Sequence, residues 1–277
     1  MSEDIQTQPP AQAAAPTSSR NRILEVDDVT LRFGGVVALN EVSFHINEGE
    51  ILGLIGPNGA GKTTCFNVMT GVYQPTSGSV RFQGEALGRR KKFEITKLGI
   101  ARTFQNIRLF ANMTALENVM VGADARHRTG VGSAMFRLPR HRQEEAQGRE
   151  RAQELLEFMG LGNKANELAR NLPYGDQRRL EIARALATGP KLLCLDEPAA
   201  GFNPAEKRTL MDLIRKIRDQ GYTVLLIEHD MKLVMGVTDR IVVLEFGRKI
   251  AEGLPAEIQA NPAVVAAYLG VDEEDAS

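Results

Sequence analysis

The feature that most constrains this chain is a glycine-rich loop between an apolar run and a predicted helix. The run covers residues 51–55 and the helix is predicted over 62–70. The loop contains Gly56, Pro57, Asn58, Gly59, Ala60, Gly61, Lys62, Thr63 and Thr64. Such glycines let backbone amides turn inward around phosphates, and a helix amino terminus adds its dipole. The loop fits GxxxxGK followed by Ser or Thr, which predicts a nucleoside triphosphate site with Lys62 on the β- and γ-phosphates and Thr63 on Mg²⁺.

Two adjacent carboxylates and a histidine follow other apolar runs. Asp196 and Glu197 come after 192–195, and His229 comes after 223–227. Ligands of open parallel sheets bind outside the carboxyl ends of the strands, so these side chains are predicted to face the phosphate loop. Asp196 is predicted to hold Mg²⁺, and Glu197 to orient the attacking water as a general base. Taken alone, the acidic pair would be read as an ordinary cap and His229 as a surface histidine.

The apolar patterns predict an α/β fold with a parallel sheet. Short continuous apolar runs alternate with a helix that starts at Asn203-Pro204 and stops at Gly221. Strand-type residues also occur over 23–26 and 42–46. The stretch 106–172 has no such run and includes a predicted amphipathic helix over 142–160, which indicates an inserted α-helical subdomain.

Composition indicates the limits of the folded domain and excludes several classes of protein. Residues 1–22 are predicted to be a disordered tail, 23–270 the folded domain and 271–277 an acidic tail. A formal net charge of −1 excludes a general basic field for nucleic acid. The only cysteines, Cys65 and Cys194, exclude a disulfide framework. Without a secretory signal or a long apolar run, the chain is predicted to be cytoplasmic and to reach a membrane only through a partner.

Together these motifs resemble the ATP-binding subunit of an ABC transporter over residues 23–270. The resemblance implies a P-loop NTPase of ABC type, with an antiparallel β subdomain, a mostly parallel sheet core and the helical subdomain at about 106–172. It also implies catalytic roles for Glu197, His229 and Gln105, Mg²⁺ contacts from Thr63, Gln105 and Asp196, and stacking of adenine on Phe33. The signature segment, which in this family faces the partner's ATP, contains Leu172, Pro173, Tyr174, Gly175, Asp176 and Gln177.

Two segments depart from the family pattern. The usual signature is LSGGQ, and Pro173 has no hydroxyl to offer a γ-phosphate, whereas Gly175 and the following helix, predicted over 178–188, retain backbone donors. The segment 200–203 lies at the family's D-loop, where Asn203 replaces the usual Asp. Asn203 is therefore either part of a link between subunits or only a helix cap.

Four segments narrow the resemblance to the branched-chain amino acid importers of bacteria: 101–118, 172–186, 227–239 and 262–270. This implies an ATP-hydrolysing motor subunit on the inner face of the plasma membrane. Its implied partners are permease subunits, a second ATPase subunit in a heterodimer or homodimer, and an extracytoplasmic substrate-binding protein. The stretch Ile107–Met120 is then either a wall of the permease groove or a solvated loop and helix.

Other functions remain open from the sequence. Urea and lipopolysaccharide ATPases share much of the pattern, so the cargo rests on resemblance alone. A soluble ABC ATPase acting on DNA or ribosomes is disfavoured, because the chain has one cassette and no sustained heptads, and no nucleic acid partner is expected. A nucleotide-binding module without turnover is disfavoured because Lys62, Asp196, Glu197 and His229 are all present.

Overall fold

The computed structural model describes residues 21–124 and 139–272, and side chains over 21–124 and 145–268. An antiparallel sheet of order β2-β1-β4-β5 is formed by β1 (Arg22–Phe33), β2 (Val36–Asn47), β4 (Ser77–Phe82) and β5 (Glu85–Ala86). It confirms the predicted antiparallel subdomain. Strand β1 begins at Arg22, and the limits of the folded domain stay a prediction. The predictions for 1–20 and 273–277 lie outside the described residues.

The second sheet has the order β10-β9-β3-β8-β7-β6. Its strands are β3 (Ile51–Ile55), β6 (Ile100–Arg102), β7 (Leu192–Asp196), β8 (Thr223–Ile227), β9 (Arg240–Glu245) and β10 (Arg248–Gly253). Neighbours from β9 to β6 are parallel, and β10 pairs antiparallel with β9. The predicted parallel core is confirmed, and the carboxyl ends of β3, β7 and β8 meet at one edge.

Helices cover the sheets. They are α1 (Lys62–Met69), α2 (Lys92–Leu98), α3 (Ala115–Asp124), α4 (Pro139–Phe158), α5 (Tyr174–Ala187), α6 (Pro204–Asp219), α7 (Met231–Val237), α8 (Pro255–Gln259) and α9 (Pro262–Asp272). Successive side chains of β7 point to opposite faces. Leu192 and Cys194 lie in a core shared with the antiparallel sheet, whereas Leu193 and Leu195 lie in a core shared with α5 and α6. Within the described residues, no helix is both long and apolar enough to cross a bilayer.

The inserted region is helical where it is described. Helices α3 and α4 pack on each other and on α5, and the part of 106–172 that the structure describes contributes no strand to either sheet. The helix predicted over 142–160 runs from Pro139 to Phe158, so both predicted ends are too late. The segment from 125 to 138 lies outside the described residues, and the limits of the helical subdomain stay a prediction.

The signature and D-loop segments each lie at the start of a helix. Helix α5 begins at Tyr174, so its predicted start at residue 178 is wrong by four residues. Proline tolerates the position before a helix, and the Pro173 carbonyl accepts from the amides of Asp176 and Gln177 at 2.9 Å. Most of the signature is therefore the first turn of α5. Asn203 caps α6 by accepting from the amides of Ala205 and Glu206 at 2.9 and 3.0 Å, and its link between subunits stays a prediction.

Candidate functional site

The phosphate loop approaches its neighbours too closely for side chains at two glycines. A Cβ at Gly56 would lie 2.1 Å from the Leu244 carbonyl oxygen, and one at Gly61 would lie 2.9 Å from that of Ala38. Gly61 also has a φ of 96° and precedes α1, where no side chain caps the first turn. The amides at the start of α1 are therefore available to an anion.

Lys62 is held inside this loop. Its side chain is buried, and its ammonium donates to the carbonyls of Gly56 at 2.6 Å and Pro57 at 2.8 Å. Burial lowers the pKa of Lys62, while the negative charge of Glu197 raises it. A buried cation whose charge is partly balanced by Glu197 is suited to a polyanionic ligand.

Glu197 lies where β7 ends and takes an unusual backbone conformation. Its φ is 45°, in the left-handed region, and its amide donates to the Ile227 carbonyl of β8 at 2.9 Å. Such strain persists where neighbouring contacts fix it, often at functional sites. The Glu197 carboxylate accepts from the Gln105 amide nitrogen at 3.0 Å, and the His229 Nδ1 lies 3.9 Å from its other oxygen. The three residues predicted to be catalytic thus lie together.

Asp196 is less exposed than Glu197. Its side chain is 9% exposed, its carboxylate lies 4.0 Å from the Arg102 guanidinium, and its amide donates to the Thr103 hydroxyl at 3.3 Å. Burial raises the pKa of Asp196, Arg102 lowers it, and Glu197 raises it. A bound cation would relieve that cost, which fits the predicted metal contact.

A second buried carboxylate was missed from the sequence. Glu228 is 1% exposed, accepts from the Ala199 amide at 2.8 Å, and lies 3.9 Å from His229 Nδ1. Burial raises the pKa of Glu228, and the hydrogen bonds that it accepts from backbone amides lower it. It fixes the loop after β7 to the loop after β8. The only sequence feature that indicates a place for Glu228 in the site is its position beside His229 at the end of an apolar run.

The phosphate loop and Glu197 open onto a cavity of about 420 Å³. It is lined by Asn58, Gly59, Ala60, Gly61, Lys62, Thr63, Thr64 and Glu197, together with Val36, Val37, Ala38, Phe246 and Gly247. Phe33 is not among these residues. It lies at the end of β1, 46% exposed, and its ring meets the Tyr73 ring edge-on at a centroid distance of 5.2 Å. Phe246, 82% exposed with a φ of 43°, is an aromatic wall that the sequence did not predict.

The signature residues form a second uncapped helix start. No side chain caps the first turn of α5, and Tyr174 is 47% exposed. Asp176 is buried and paired with Lys164 and Arg179, each at 2.5 Å. Gln177 donates to the Leu172 carbonyl at 2.8 Å. These side chains stabilise the first turn of α5, whose Asp176 and Gln177 amides donate to the Pro173 carbonyl.

A groove of about 590 Å³ separates the sheet core from the helical region. Arg102, Arg108 and Arg184 line it together with Phe104 and Phe110. The Arg102 and Arg108 guanidiniums lie 4.6 and 4.4 Å from the Phe104 ring centroid. The predicted wall Ile107–Met120 contributes Arg108 and Phe110 to this groove, whose lining combines basic and aromatic side chains with aliphatic ones and Glu181.

Comparison with known proteins places this geometry in a family. Residues 39–200 match the family model described as ABC transporter. The chain belongs to the ABC transporter family. Residues 248–274, which include β10, α8 and α9, match a second model described as branched-chain amino acid ATP-binding cassette transporter.

Curated relatives match the sequence of this ABC protein over nearly its whole length. It is 49% identical over 249 residues to the high-affinity branched-chain amino acid transport ATP-binding protein LivG of Salmonella typhimurium, covering 90% of this chain and 98% of the relative. BraF of Pseudomonas aeruginosa, which carries the same description, matches with the same identity and coverage. LivG of Escherichia coli is 47% identical. The predicted ABC transporter ATPase and its resemblance to branched-chain amino acid transport proteins are confirmed.

Solved structures of ABC cassettes share the fold. A nucleotide-free ATP-binding cassette from an ABC transporter is 32% identical, with a TM-score of 0.78, and the match covers 90% of this chain and 99% of that one. A cassette solved as a dimer bound to ADP and phosphate is 29% identical, with a TM-score of 0.70, covering 84% and 98%. The predicted fold class is confirmed.

Proposed function

We propose that this chain is the ATP-hydrolysing motor subunit of an importer for branched-chain, hydrophobic amino acids. The observation that carries the ATPase assignment is the Glu197 carboxylate, held by Gln105 and lining the same cavity as the phosphate loop. The cargo is supported by the names of the curated relatives and by the model matched over 248–274.

The chain's own groups divide the chemistry of hydrolysis. The loop amides and the Lys62 ammonium bind the phosphates and stabilise charge on the transferred group. Glu197 accepts the proton of a water aligned with the γ-phosphate, which typically contributes about 10²–10⁴-fold. His229 and Gln105 contact the same carboxylate from two sides and fix its direction. Phe33 or the neighbouring Phe246 offers the adenine an apolar face.

The site also suits Mg²⁺. Thr63, Asp196 and Gln105 offer a hydroxyl, a carboxylate and an amide oxygen, the donors that Mg²⁺ prefers alongside water and phosphate. Asp196 is buried, and its burial cost is only partly offset by Arg102 and Arg178, so a divalent ion would compensate its charge further. When bound with ATP, Mg²⁺ neutralises charge on the phosphate oxygens.

Two uncapped helix starts support a working dimer. Helix α1 starts at the phosphate loop and α5 starts within the signature segment, and neither start has a side-chain cap. Two subunits arranged head to tail would bind two ATP molecules between an α1 and a partner α5, and hydrolysis would open them through phosphate repulsion. We propose a second, different ATPase subunit as the partner, with a homodimer as the alternative.

The groove beside Gln105 is the proposed contact with the permease. Its arginines and phenylalanines suit a segment that carries both acidic and apolar side chains. Such a contact places the chain on the inner face of the plasma membrane, with an extracytoplasmic substrate-binding protein delivering the amino acid on the other side.

Nucleotide binding is tested by thermal unfolding with and without Mg-ATP. At a ligand concentration of about 100 times Kd, the wild type is expected to gain about 2.7 kcal/mol of unfolding free energy. Lys62→Ala is expected to lose this gain, whereas Lys216→Ala, an exposed lysine on α6, is expected to keep it. An equal gain in both variants would refute the role of Lys62.

Transport is tested by purifying the tagged chain from membranes. A co-purifying permease, whose presence makes ATP hydrolysis respond to a binding protein loaded with leucine, is the expected result. A response to urea but not to leucine would assign another cargo. Recovery of ribosomes or DNA in place of a permease would refute the motor function.

A further inference from the structure

Arg178 is a fully buried arginine that the catalytic mechanism does not use. It lies on α5, one turn after Tyr174, and is 0% exposed. It forms an ion pair with Glu181, also buried, at 2.9 Å, and its charge also lowers the pKa of Asp196. The pair leaves most of the guanidinium donors for other acceptors, and a buried arginine is costly unless they are satisfied.

Those donors reach the loop that carries Gln105. One terminal nitrogen of Arg178 donates to the Phe104 carbonyl at 2.7 Å, and the other donates to the Gln105 carbonyl at 2.7 Å. Glu181 also accepts from the Arg108 amide at 3.4 Å. The segment from 103 to 114 has no helix or strand of its own. Thr103 is bonded to β7 and Phe110 to Asn118 of α3, and between these ends two side chains of α5 hold the backbone of residues 104–108.

The same guanidinium contacts the signature. It donates to the Tyr174 hydroxyl at 3.2 Å and lies 5.8 Å from the centre of that ring. Tyr174 is half exposed on the first turn of α5. A single side chain thus joins the turn that faces the partner's nucleotide to the backbone of Gln105, whose side chain bonds Glu197 at 3.0 Å.

We propose that Arg178 is a positioning residue through which helix α5 sets where the Gln105 side chain lies against Glu197. A displacement of the first turn of α5 by the partner's nucleotide is passed through the guanidinium to Gln105 and changes the alignment of the chain's own base. This rests on the proposed ATPase function. It adds a route by which the two nucleotide sites of a dimer affect each other.

The geometry requires an arginine. A planar guanidinium can donate to two adjacent carbonyls at once while keeping its bond to Glu181. A lysine at this position keeps the positive charge and the ion pair, but its ammonium cannot span both carbonyls in the same geometry. Arg178→Lys therefore separates positioning from charge compensation. Arg179→Lys is the matched control, because Arg179 is the next residue of α5 and pairs with Asp176 instead.

The first measurement is independent of catalysis. Hydrogen–deuterium exchange of the full chain is followed over residues 104–110. Arg178→Lys is expected to speed exchange there roughly tenfold, as local opening becomes easier, while Arg179→Lys leaves it unchanged. Equal protection of this segment in wild type and Arg178→Lys would overturn the proposal. If Arg178→Lys does not fold, Glu181→Gln replaces it, because it weakens the hold on the guanidinium and keeps an oxygen acceptor.

The second measurement is a double-mutant cycle on ATP turnover. Arg178→Lys is expected to lower kcat roughly tenfold to a hundredfold with little change in KM, because a misplaced catalytic group costs rate. In a Gln105→Ala background, Arg178→Lys is expected to change kcat hardly any further. The effect of Arg179→Lys on kcat is expected to be the same with and without Gln105. An equal loss with and without Gln105 would overturn the proposal. A wild type without turnover would instead refute the proposed ATPase function, leaving the exchange experiment to decide on Arg178.

Discussion

Replacing Glu197 with Gln tests the central assignment with little change of shape. The amide side chain matches the carboxylate in size and still offers an oxygen to the Gln105 amide nitrogen, which now lies 3.0 Å from Glu197. The left-handed φ of 45° is held by the bond from the 197 amide to Ile227, which the substitution does not touch. The loop should therefore keep its fold, and only the proton acceptor is lost.

The size of the loss in kcat depends on which catalytic groups Glu197→Gln leaves in place. The Lys62 ammonium and the loop amides still bind the phosphates, so stabilisation of the transferred group is retained. Loss of a general base lowers kcat by about 10²–10⁴-fold, which is about 2.7–5.5 kcal/mol. Nucleotide affinity is expected to stay the same or rise, because one negative charge leaves a cavity that receives a triphosphate.

The effect on kcat is measured by single-turnover hydrolysis of Mg-ATP. Nucleotide retention and molecular mass are measured in parallel and report on affinity and on dimer formation. Glu197→Gln is expected to bind ATP, release almost no phosphate and accumulate as a closed dimer. Glu167→Gln, an exposed carboxylate outside the cavity, serves as the control and should match wild type. A rate for Glu197→Gln within threefold of wild type would refute Glu197 as the base.

Three further predictions concern individual side chains. Asn203→Ala should lower unfolding stability by about 1 kcal/mol in a thermal scan with turnover unchanged, whereas Asn203→Asp keeps the cap; a turnover loss in Asn203→Ala would support an intersubunit role. Burial raises the pKa of Cys65 and Cys194 to about 12, so neither thiol should react with a thiol reagent at pH 8 until the chain unfolds. Phe33→Ala should weaken ATP binding by titration calorimetry about 10–100-fold if Phe33 stacks on adenine, and an unchanged affinity would assign that role to Phe246.

The sequence predicted the parts of the site that depend on local pattern. Residues 51–55 and 223–227 are strands with the predicted bounds, because short apolar runs next to glycine or polar residues have few other solutions in an α/β chain. Given parallel strands, Glu197 and His229 had to follow neighbouring carboxyl ends. Their proximity, with Nδ1 of His229 3.9 Å from the carboxylate, follows from topology and needed no contact information.

The sequence could not predict contacts that join distant segments. Arg178 reads as one of many charged residues on an amphipathic helix, and only the fold shows that it is buried against the backbone of 104–105. Phe246 follows an apolar strand and gives no sign that its backbone turns it toward the phosphate loop. The start of α5 was placed too late because a proline and a glycine at 173 and 175 were read as loop residues.

The loop that carries Gln105 connects the catalytic base to the groove proposed for the permease. The Gln105 amide nitrogen donates to one oxygen of Glu197, and the carboxylate keeps further acceptor sites for a water proton. Phe104 and Arg108, on either side of Gln105 in the chain, line the groove proposed for the permease. A partner that fills this groove therefore acts on the same few residues that hold the base. Coupling between transport and hydrolysis then needs no long pathway, because the two sites share one loop.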